Sequence, residues 1–308
     1  MISVLFLLNK NKQSSQIPWM KKMEMKYLKS NEMIAKACAE SQKPILTLIY
    51  REFMNVDFHH KLAACLHAKV GSTTLTNYFY LLLPNQTRIE LEKKFGKTLF
   101  KQEIIKPYFQ LPNGSFFNST DDLISIQQIQ EILEMRKILS LSFVRHPFER
   151  LVSAYHDRIL RKNILREYGY DTWYHKNHSF PAFVDLILGE NKNSNCFRFN
   201  DIGCLKINQH WRPFSVECPY CNIKFDVIGR MSTFNEDFKY IIKKSHLESL
   251  IPLSSITEAL HSSKVDSKER TKVLFSQLAR NKIEELHKMY ETDFKMFGYD
   301  SKPYFSSI

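Results

Sequence analysis

The stretch FVRHPFERLVSAYHDR, Phe143 to Arg158, joins the end of a buried strand to the start of a helix. The apolar run ILSLSFV (138–144) stops at Arg145, and Pro147 suits the first helical position because its φ is preset and its missing N–H would be unpaired there. An apolar stripe at helical spacing then follows, formed by Phe148, Leu151, Val152, Tyr155 and Ile159. The stretch therefore predicts a strand that leads directly into an amphipathic helix.

Two other segments have the same strand-to-helix order. KLAACLH (61–67) precedes the loop AKVGS and a helix from about Thr73. FDVIG (225–229) precedes a helix for which Thr233 and Glu236 predict a capping box. Strands that alternate with helices are typical of βαβ units, so the fold class is predicted to be α/β, with a parallel sheet flanked by helices.

The rest of the chain indicates one domain after a leader. Residues 1–57 are rich in Lys and Met with weak periodicity, which predicts an irregular, stem-like segment. Further helical patterns cover about 181–189 and 267–294, and no internal repeat or linker divides residues 58–308. The apolar start MISVLFLL is too short to span a bilayer. We therefore predict a leader over 1–57 and a single domain over 58–308.

Charge and composition limit the class of binding partner. The chain has 44 Lys+Arg against 32 Asp+Glu, a formal net charge of +12, which suits nucleic acid, an acidic polysaccharide or an anionic membrane, and equally a merely soluble basic protein. The basic residues are dispersed, and neither zinc-finger spacing nor the aromatic signature of an RNA-binding module is present. Nucleic acid is therefore not the expected partner.

The cysteines allow two interpretations. Four of the 6 cysteines fall within 196–221, which fits a disulfide-stapled loop better than zinc, because Cys196 and Cys204 are too widely spaced for a typical half-site. The full set is Cys38, Cys65, Cys196, Cys204, Cys218 and Cys221. N-x-S/T sequons at Asn85, Asn113, Asn118 and Asn177 agree with a secretory compartment.

Arg145 lies at the predicted carboxyl end of a strand, the edge where open parallel sheets bind ligands. A guanidinium beside a helix N-terminus receives anions well, and Ser153, on the polar side of the helix with Glu149 and Asp157, can add a hydroxyl donor. The alternative is that Arg145 pairs with a carboxylate and Ser153 is ordinary surface.

The loop HAKVGSTTL has the same character. It places Lys69, Gly71 and three hydroxyl residues, Ser72, Thr73 and Thr74, between a strand and a helix N-terminus, a combination suited to a phosphate or sulfate. It lacks the Walker A order, since its Lys precedes its only Gly, which weakens a nucleotide-kinase hypothesis. Plain helix capping is the alternative.

These segments carry a resemblance. HAKVGSTTL resembles the 5′-phosphosulfate loop of sulfotransferases, and VRHPFERLVSAY resembles the 3′-phosphate-binding strand and helix of Golgi carbohydrate sulfotransferases of the chondroitin 4-O-sulfotransferase and HNK-1 type. INQHWRPF with CPYC, FDVIGRMSTFNED and YETDFKMFGYD follow in the family's order. The resemblance implies a single-domain, P-loop-like sulfotransferase fold, a Golgi location and a membrane anchor that this sequence does not display.

The resemblance also implies an activity and its residues. The expected reaction moves a sulfuryl group from 3′-phosphoadenosine 5′-phosphosulfate to a sugar hydroxyl, with no metal required, and the +12 charge suits an anionic, chondroitin-like glycosaminoglycan acceptor. Arg145 and Ser153 would hold the 3′-phosphate. The 5′-phosphosulfate would be held by Lys69, Gly71, Ser72, Thr73 and Thr74, with Lys69 also stabilising the leaving group.

A general base completes the predicted site. His210 in NQHW is the first candidate, followed by His67 and His156, although any of the 11 histidines is more often structural. Trp211 would either stack on a sugar or lie in the core.

The loop departs from the family pattern, with Ala68 in place of Pro and Ser72 in place of Cys. This keeps open an alternative function, a catalytically degenerate glycosaminoglycan-binding relative.

Overall fold

A computed structural model describes residues 2–41, 48–50, 54–86, 88–89, 93, 123–160, 178–193, 207–251 and 266–305. The side chains of 2–17, 48–50 and 123–124 are not part of this description. Some features predicted from the sequence lie outside it, namely Cys196, Cys204 and the sequons at Asn113, Asn118 and Asn177.

The described strands form one larger and one smaller sheet. Their bounds are β1 Leu48–Tyr50, β2 Met54–Asp57, β3 Leu62–Cys65, β4 Leu123–Ser125, β5 Leu139–Val144 and β6 Val227–Arg230. The larger sheet has the order β2-β3-β5-β6, and β1 pairs with β4 in an antiparallel ribbon. β3, β5 and β6 are parallel, whereas β2 is an antiparallel edge strand.

Helices surround this sheet. Their bounds are α1 Ile2–Ser41, α2 Ser72–Leu82, α3 Ile126–Met135, α4 Pro147–Ala154, α5 Phe180–Asn193, α6 Phe214–Glu217, α7 Phe234–Lys244, α8 Ser267–Phe275, α9 Arg280–Met289 and α10 Glu291–Phe297. A π-helical turn, Tyr155–Leu160, continues α4, and 3₁₀ turns cover Met231–Thr233 and Lys302–Tyr304. Among the described helices, none combines the length and apolarity needed to cross a bilayer.

The three predicted strand-to-helix units are confirmed as β3–α2, β5–α4 and β6–α7. β3 is fully buried, and β5 is buried from its second residue on, as expected of central parallel strands with both faces covered. The stripe predicted after Arg145 packs in the core, since Phe148, Leu151, Val152 and Ile159 are each at most 3% exposed. The sequence thus predicted the three parallel strand-to-helix units correctly, whereas the antiparallel edge strand falls within the segment assigned to the leader.

The N-terminal segment is more regular than its weak periodicity predicted. α1 packs against α10, α7 and β6. Lys26 and Tyr27 both contact the buried carboxylate of Asp237, the Tyr27 hydroxyl at 2.8 Å, and Asn31 donates to the Phe225 carbonyl at 2.8 Å. The buried positions of α1 also repeat every three or four residues, and the apolar ones join the main core, namely Met23, Tyr27, Ile34 and Ala37. This packing, together with the polar contacts, stabilises the helix. The domain boundary after residue 57 stays a prediction.

Two local predictions are wrong. Thr233 precedes α7 but forms no capping box, because its hydroxyl donates to the Asp237 carboxylate at 2.7 Å instead of accepting from the helix. The single helix predicted over 267–294 is broken into α8, α9 and α10, with extended backbone at Ala279 before α9 (φ −66°, ψ 145°).

Two disulfides link distant parts of the described chain. Cys38 joins α1 to Cys221, and Cys65 at the end of β3 joins Cys218. The two cysteines of CPYC therefore have different partners, which opposes a zinc half-site built on that pair. Cys65, Cys218 and His67 do lie within 4.8 Å of one another, but both sulfurs are joined in the disulfide.

Candidate functional site

The site begins where β3 and β5 end. Because Cys65 and Ser142 are paired in parallel register, the loop after β3 and the residues after β5 leave the sheet at the same edge. Arg145 Nη1 lies 3.4 Å from the carbonyl oxygen of Lys69. The structure thus brings the two predicted anion-binding segments into contact.

The loop before α2 has an unusual backbone. Lys69 and Gly71 both have left-handed φ, 69° and 76°, and α2 begins at Ser72 without an acidic residue in its first turn. Ser72 is buried, Thr74 half-buried and Thr73 exposed. Alternating right- and left-handed residues turn backbone N–H groups inward, and the positive helix end adds to the ammonium of Lys69.

Replacement of Gly71 by alanine is expected to lower the free energy of unfolding by about 1–2 kcal/mol, because a left-handed residue with a Cβ is strained. That Cβ would also lie 3.1 Å from Phe234 Cε2 and 3.3 Å from Met231 Sδ. The measurement is denaturant unfolding. Gly189→Ala is the matched control, since nothing lies within 4 Å of its Cβ in α5 and it is expected to stabilise. An equal stability change in both variants would contradict the prediction.

The two cations at the carboxyl edge of the sheet face carboxylates on one side of α4 and the π-helical turn that continues it. Lys69 Nζ lies 2.7 Å from Asp157 Oδ2, and Arg145 Nε lies 3.8 Å from Glu149 Oε2. Ser153 is half-buried and lies between these carboxylates in sequence, four residues from each. The arginine–carboxylate contact expected under the alternative interpretation is therefore present, and the acidic residues of the predicted polar side point towards both cations. Burial lowers the pKa of Lys69, and the Asp157 hydrogen bond opposes that shift.

His210 lies beside the same charges. Its side chain is 3% exposed, and its pKa is lowered to about 3, first by burial and then by the charges of Arg158, Lys69 and Arg150. Nδ1 lies 2.7 Å from Asn208 Oδ1, an acceptor, which assigns the ring proton to Nδ1 and the basic lone pair to Nε2. His210 is thus a neutral imidazole close to Lys69.

The other candidates have structural surroundings. His67 is fully buried, with Nδ1 2.5 Å from Glu217 Oε2 and Nε2 2.6 Å from the Tyr220 hydroxyl, so neither ring nitrogen faces an acceptor sugar. His156 is half-buried on the π-helical turn. Trp211 is fully buried and donates to Glu190 Oε2 at 2.8 Å, so its core interpretation is confirmed and sugar stacking is wrong.

Residues that the sequence did not single out also contribute. Ser267, at the start of α8, lies 2.5 Å from Arg145 Nη2, and Arg150 and Glu217 form a buried ion pair at 3.4 Å. Asp157 carried a signal, because it lies four residues beyond Ser153 on the polar side. No local pattern marks Glu217 or Ser267, which reach the site through tertiary structure alone.

Acid is expected to destabilise the protein through its buried neutral histidines. Burial lowers the pKa values of His67, His146 and His210. The unfolded chain therefore binds more protons below about pH 6.5, and the free energy of unfolding falls as the pH falls, by up to about 1.4 kcal/mol per pH unit and group. Asp293 has the opposite effect on the pH dependence of stability. Burial raises its pKa to about 6, so its protonated form favours the folded state at low pH, and this contribution is lost as the pH rises through about 6.

Denaturant unfolding at a series of pH values between 4 and 7.5 measures this slope. We expect His146→Gln to flatten it and His59→Gln, at an exposed position, to leave it unchanged. A slope that both variants share with the parent would contradict the assignment.

Known proteins resemble this chain over most of its length. The model of the family described as Sulfotransferase family matches residues 52–300. Carbohydrate sulfotransferase 10 of Rattus norvegicus is 26% identical over 302 residues, which cover 91% of this chain and 77% of the relative. The human protein of that name is 24% identical, with 91% and 77% covered. Carbohydrate sulfotransferase 11 of Rattus norvegicus is 24% identical, with 88% and 73% covered. No solved structure gives a significant match.

Proposed function

This chain belongs to the sulfotransferase family, and on that premise we propose that it transfers a sulfuryl group from 3′-phosphoadenosine 5′-phosphosulfate to a hydroxyl of a carbohydrate. The matched region, 52–300, contains the β3–α2 loop, the β5–α4 turn and His210. The relatives named carbohydrate sulfotransferases support a sugar acceptor. The parallel strands with a ligand edge support the P-loop-like arrangement that the resemblance implies.

The observation that carries the proposal is the contact between Arg145 and the carbonyl of Lys69, which places two cations at one strand edge. A donor with phosphate groups at both ends of a nucleoside needs two such positions. In our assignment Arg145 and Ser153 bind the 3′-phosphate. The 5′-phosphosulfate is bound by Lys69, Gly71, Ser72, Thr73 and Thr74.

The carboxylates of the site set a condition for donor binding. Asp157 and Glu149 contact the same two cations that we assign to the donor, Lys69 at 2.7 Å and Arg145 at 3.8 Å. A polyanionic donor therefore competes with these carboxylates for its own binding groups. Because the cationic side chains neutralise the donor, the proposed reaction needs no metal.

Lys69 and His210 divide the chemistry. As the bond between sulfur and the bridging phosphate oxygen breaks, negative charge develops on that oxygen, and the ammonium of Lys69 stabilises it. The acceptor hydroxyl forms the new bond to sulfur and gives its proton to Nε2 of His210. Burial is the first cause of the lowered pKa of His210, and the charges of Arg158, Lys69 and Arg150 lower it further. The donor's negative charge offsets these cations, which raises the pKa of the imidazole in the complex.

The class of acceptor and the cellular location are inferred from the net charge and from the disulfides. The net charge of +12 supports an anionic, chondroitin-like polysaccharide as partner. Disulfides persist in oxidising compartments, so Cys38–Cys221 and Cys65–Cys218 support a secretory location. Together with the resemblance, this favours the Golgi lumen and membrane association.

Transfer of radiolabelled sulfate from the donor to a panel of acceptors tests the function. The panel contains desulfated chondroitin, dermatan and heparan chains and N-glycan termini. We expect label on a glycosaminoglycan with the parent protein and a loss of label with Arg145→Ala. If no acceptor is labelled and adenosine 3′,5′-bisphosphate does not bind, the transferase proposal is wrong and the polysaccharide-binding alternative replaces it.

A further inference from the structure

Arg150 is a fully buried arginine that the proposed reaction does not use. It lies in α4, five residues after the donor-site Arg145, and is 1% exposed. Removing a guanidinium from water costs several kcal/mol unless hydrogen bonds and an opposite charge compensate it. The partners that compensate Arg150 therefore indicate what it does.

Those partners are backbone carbonyls on both sides of the site. Arg150 Nε donates to the carbonyl of Ala68 at 2.9 Å, and Nη2 donates to the carbonyl of Gln209 at 2.8 Å. Nη1 donates to the carbonyl of Arg212. Ala68 immediately precedes Lys69, and Gln209 immediately precedes His210. One planar side chain on α4 thus ties the Lys69 loop to the His210 segment.

A second set of contacts fixes the guanidinium itself. Glu217 Oε2 lies 3.4 Å from Arg150 Nη2, and the ring of Phe214 lies 4.2 Å from the guanidinium carbon. Both residues belong to α6, whose first N–H groups, of Phe214 and Ser215, donate to the Asp293 carboxylate at 2.7 and 2.9 Å. These two hydrogen bonds fix α6 to α10. The α6 side chains that contact the Arg150 guanidinium are therefore fixed as well.

We propose that Arg150 is a positioning residue, which sets the placement of Lys69 relative to His210 without touching donor or acceptor. The inference rests on the proposed function, because it concerns the two groups assigned to the chemistry. The fork geometry of arginine is required: it presents donors in fixed directions to two chain segments, whereas the single ammonium of a lysine cannot reach both. A misplacement of about 1 Å between reacting groups can cost about 100-fold in rate.

The test separates positioning from charge balance. Arg150→Met alone leaves the buried Glu217 carboxylate without its positive partner, with the His67 ring still beside it, and is expected to destabilise strongly. Arg150→Met combined with Glu217→Gln removes both charges, and Arg150→Lys keeps a positive one. Lys26→Met is the control, because it breaks a partly buried contact to Asp237 between α1 and α7 that includes neither the Lys69 loop nor the His210 segment.

Four quantities are measured on each folded variant: the unfolding midpoint, kcat for sulfate transfer, the donor KM, and amide hydrogen exchange of 66–71 and 207–212. We expect the double variant to regain only part of the stability lost by Arg150→Met, because the carbonyls of Ala68, Gln209 and Arg212 still lack their donor. We expect its kcat to stay about 100-fold below the parent with a change of only a few-fold in donor KM. Arg150→Lys should likewise fail to restore kcat. Both segments should exchange faster in these variants, and Lys26→Met should lower only the midpoint.

Recovery of kcat together with stability in the double variant would overturn the inference, as would unchanged exchange in both segments. The exchange measurement needs no turnover. If the parent protein itself transfers no sulfate, the proposed function fails, and the exchange of the two segments still decides whether Arg150 positions them.

Discussion

Replacing Lys69 by methionine is expected to lower kcat for sulfate transfer by about 1000-fold while the protein stays folded. The side chain is half-buried beside Asp157, and methionine keeps most of its apolar volume while removing the ammonium. The loss is large because Lys69 is assigned to charge that develops only in the transition state, and removing one such group costs about 100- to 1000-fold. Single-turnover transfer with bound donor measures it directly.

Lys295→Met is the matched control, since that lysine forms an exposed pair with Glu291 at 2.7 Å, and kcat should not change. A Lys69→Met variant with a normal kcat and a raised donor KM would show that Lys69 binds the donor equally in ground and transition states. The catalytic assignment of Lys69 would then be wrong, although its place in the donor site would stand.

Replacing His210 by glutamine is expected to lower kcat by about 100-fold or more, the usual contribution of a general base. A base acts when unprotonated, so kcat of the parent should rise with pH through the pKa of His210 in the complex and then level off. That pKa should lie above the value of about 3 in the protein alone, because the donor offsets the cations of Lys69, Arg158 and Arg150. The variant should lose the rising limb.

The measurement is kcat for sulfate transfer between pH 4 and 9, with His59→Gln as the control at an exposed histidine. If the rising limb persists unchanged in His210→Gln, another group accepts the proton. Asp157 would then be the next residue to replace, because it lies beside both Lys69 and His210.

The sequence predicts the fold where the signal is local. The run 138–144, Pro147 and the apolar stripe after it define β5 and α4 without any knowledge of neighbours. The apolar positions of α1 are few and are interrupted by Ser30, which weakens the local signal. Part of its stabilisation comes from Asp237 and Phe225, more than 190 residues away in the chain. The break at Ala279 was missed for a similar reason, since the helical spacing continues across it.

The candidate site also consists of residues that a local sequence pattern marks and residues that none marks. Arg145, Lys69 and the loop to Thr74 were found because a strand end followed by a helix start is a local pattern, and the structure places them together. Arg150 has no comparable local pattern, since the role of a buried arginine can be recognised only from the carbonyls it contacts. Glu217 is one of those contacts and has no local pattern either.

The two disulfides are nested, since the Cys65–Cys218 link lies inside the span closed by Cys38–Cys221. Neither can form until synthesis has passed Cys218 and Cys221 respectively, separations of 153 and 183 residues. The thiols of Cys65 in β3 and Cys38 in α1 therefore lack their final partners while most of the chain is synthesised. During that interval Cys38 and Cys65 can mispair with Cys196 and Cys204, which precede Cys218 in the sequence. Productive maturation thus depends on disulfide exchange after translation, so a thiol–disulfide isomerase should govern the yield of active protein more than the rate of chain synthesis does.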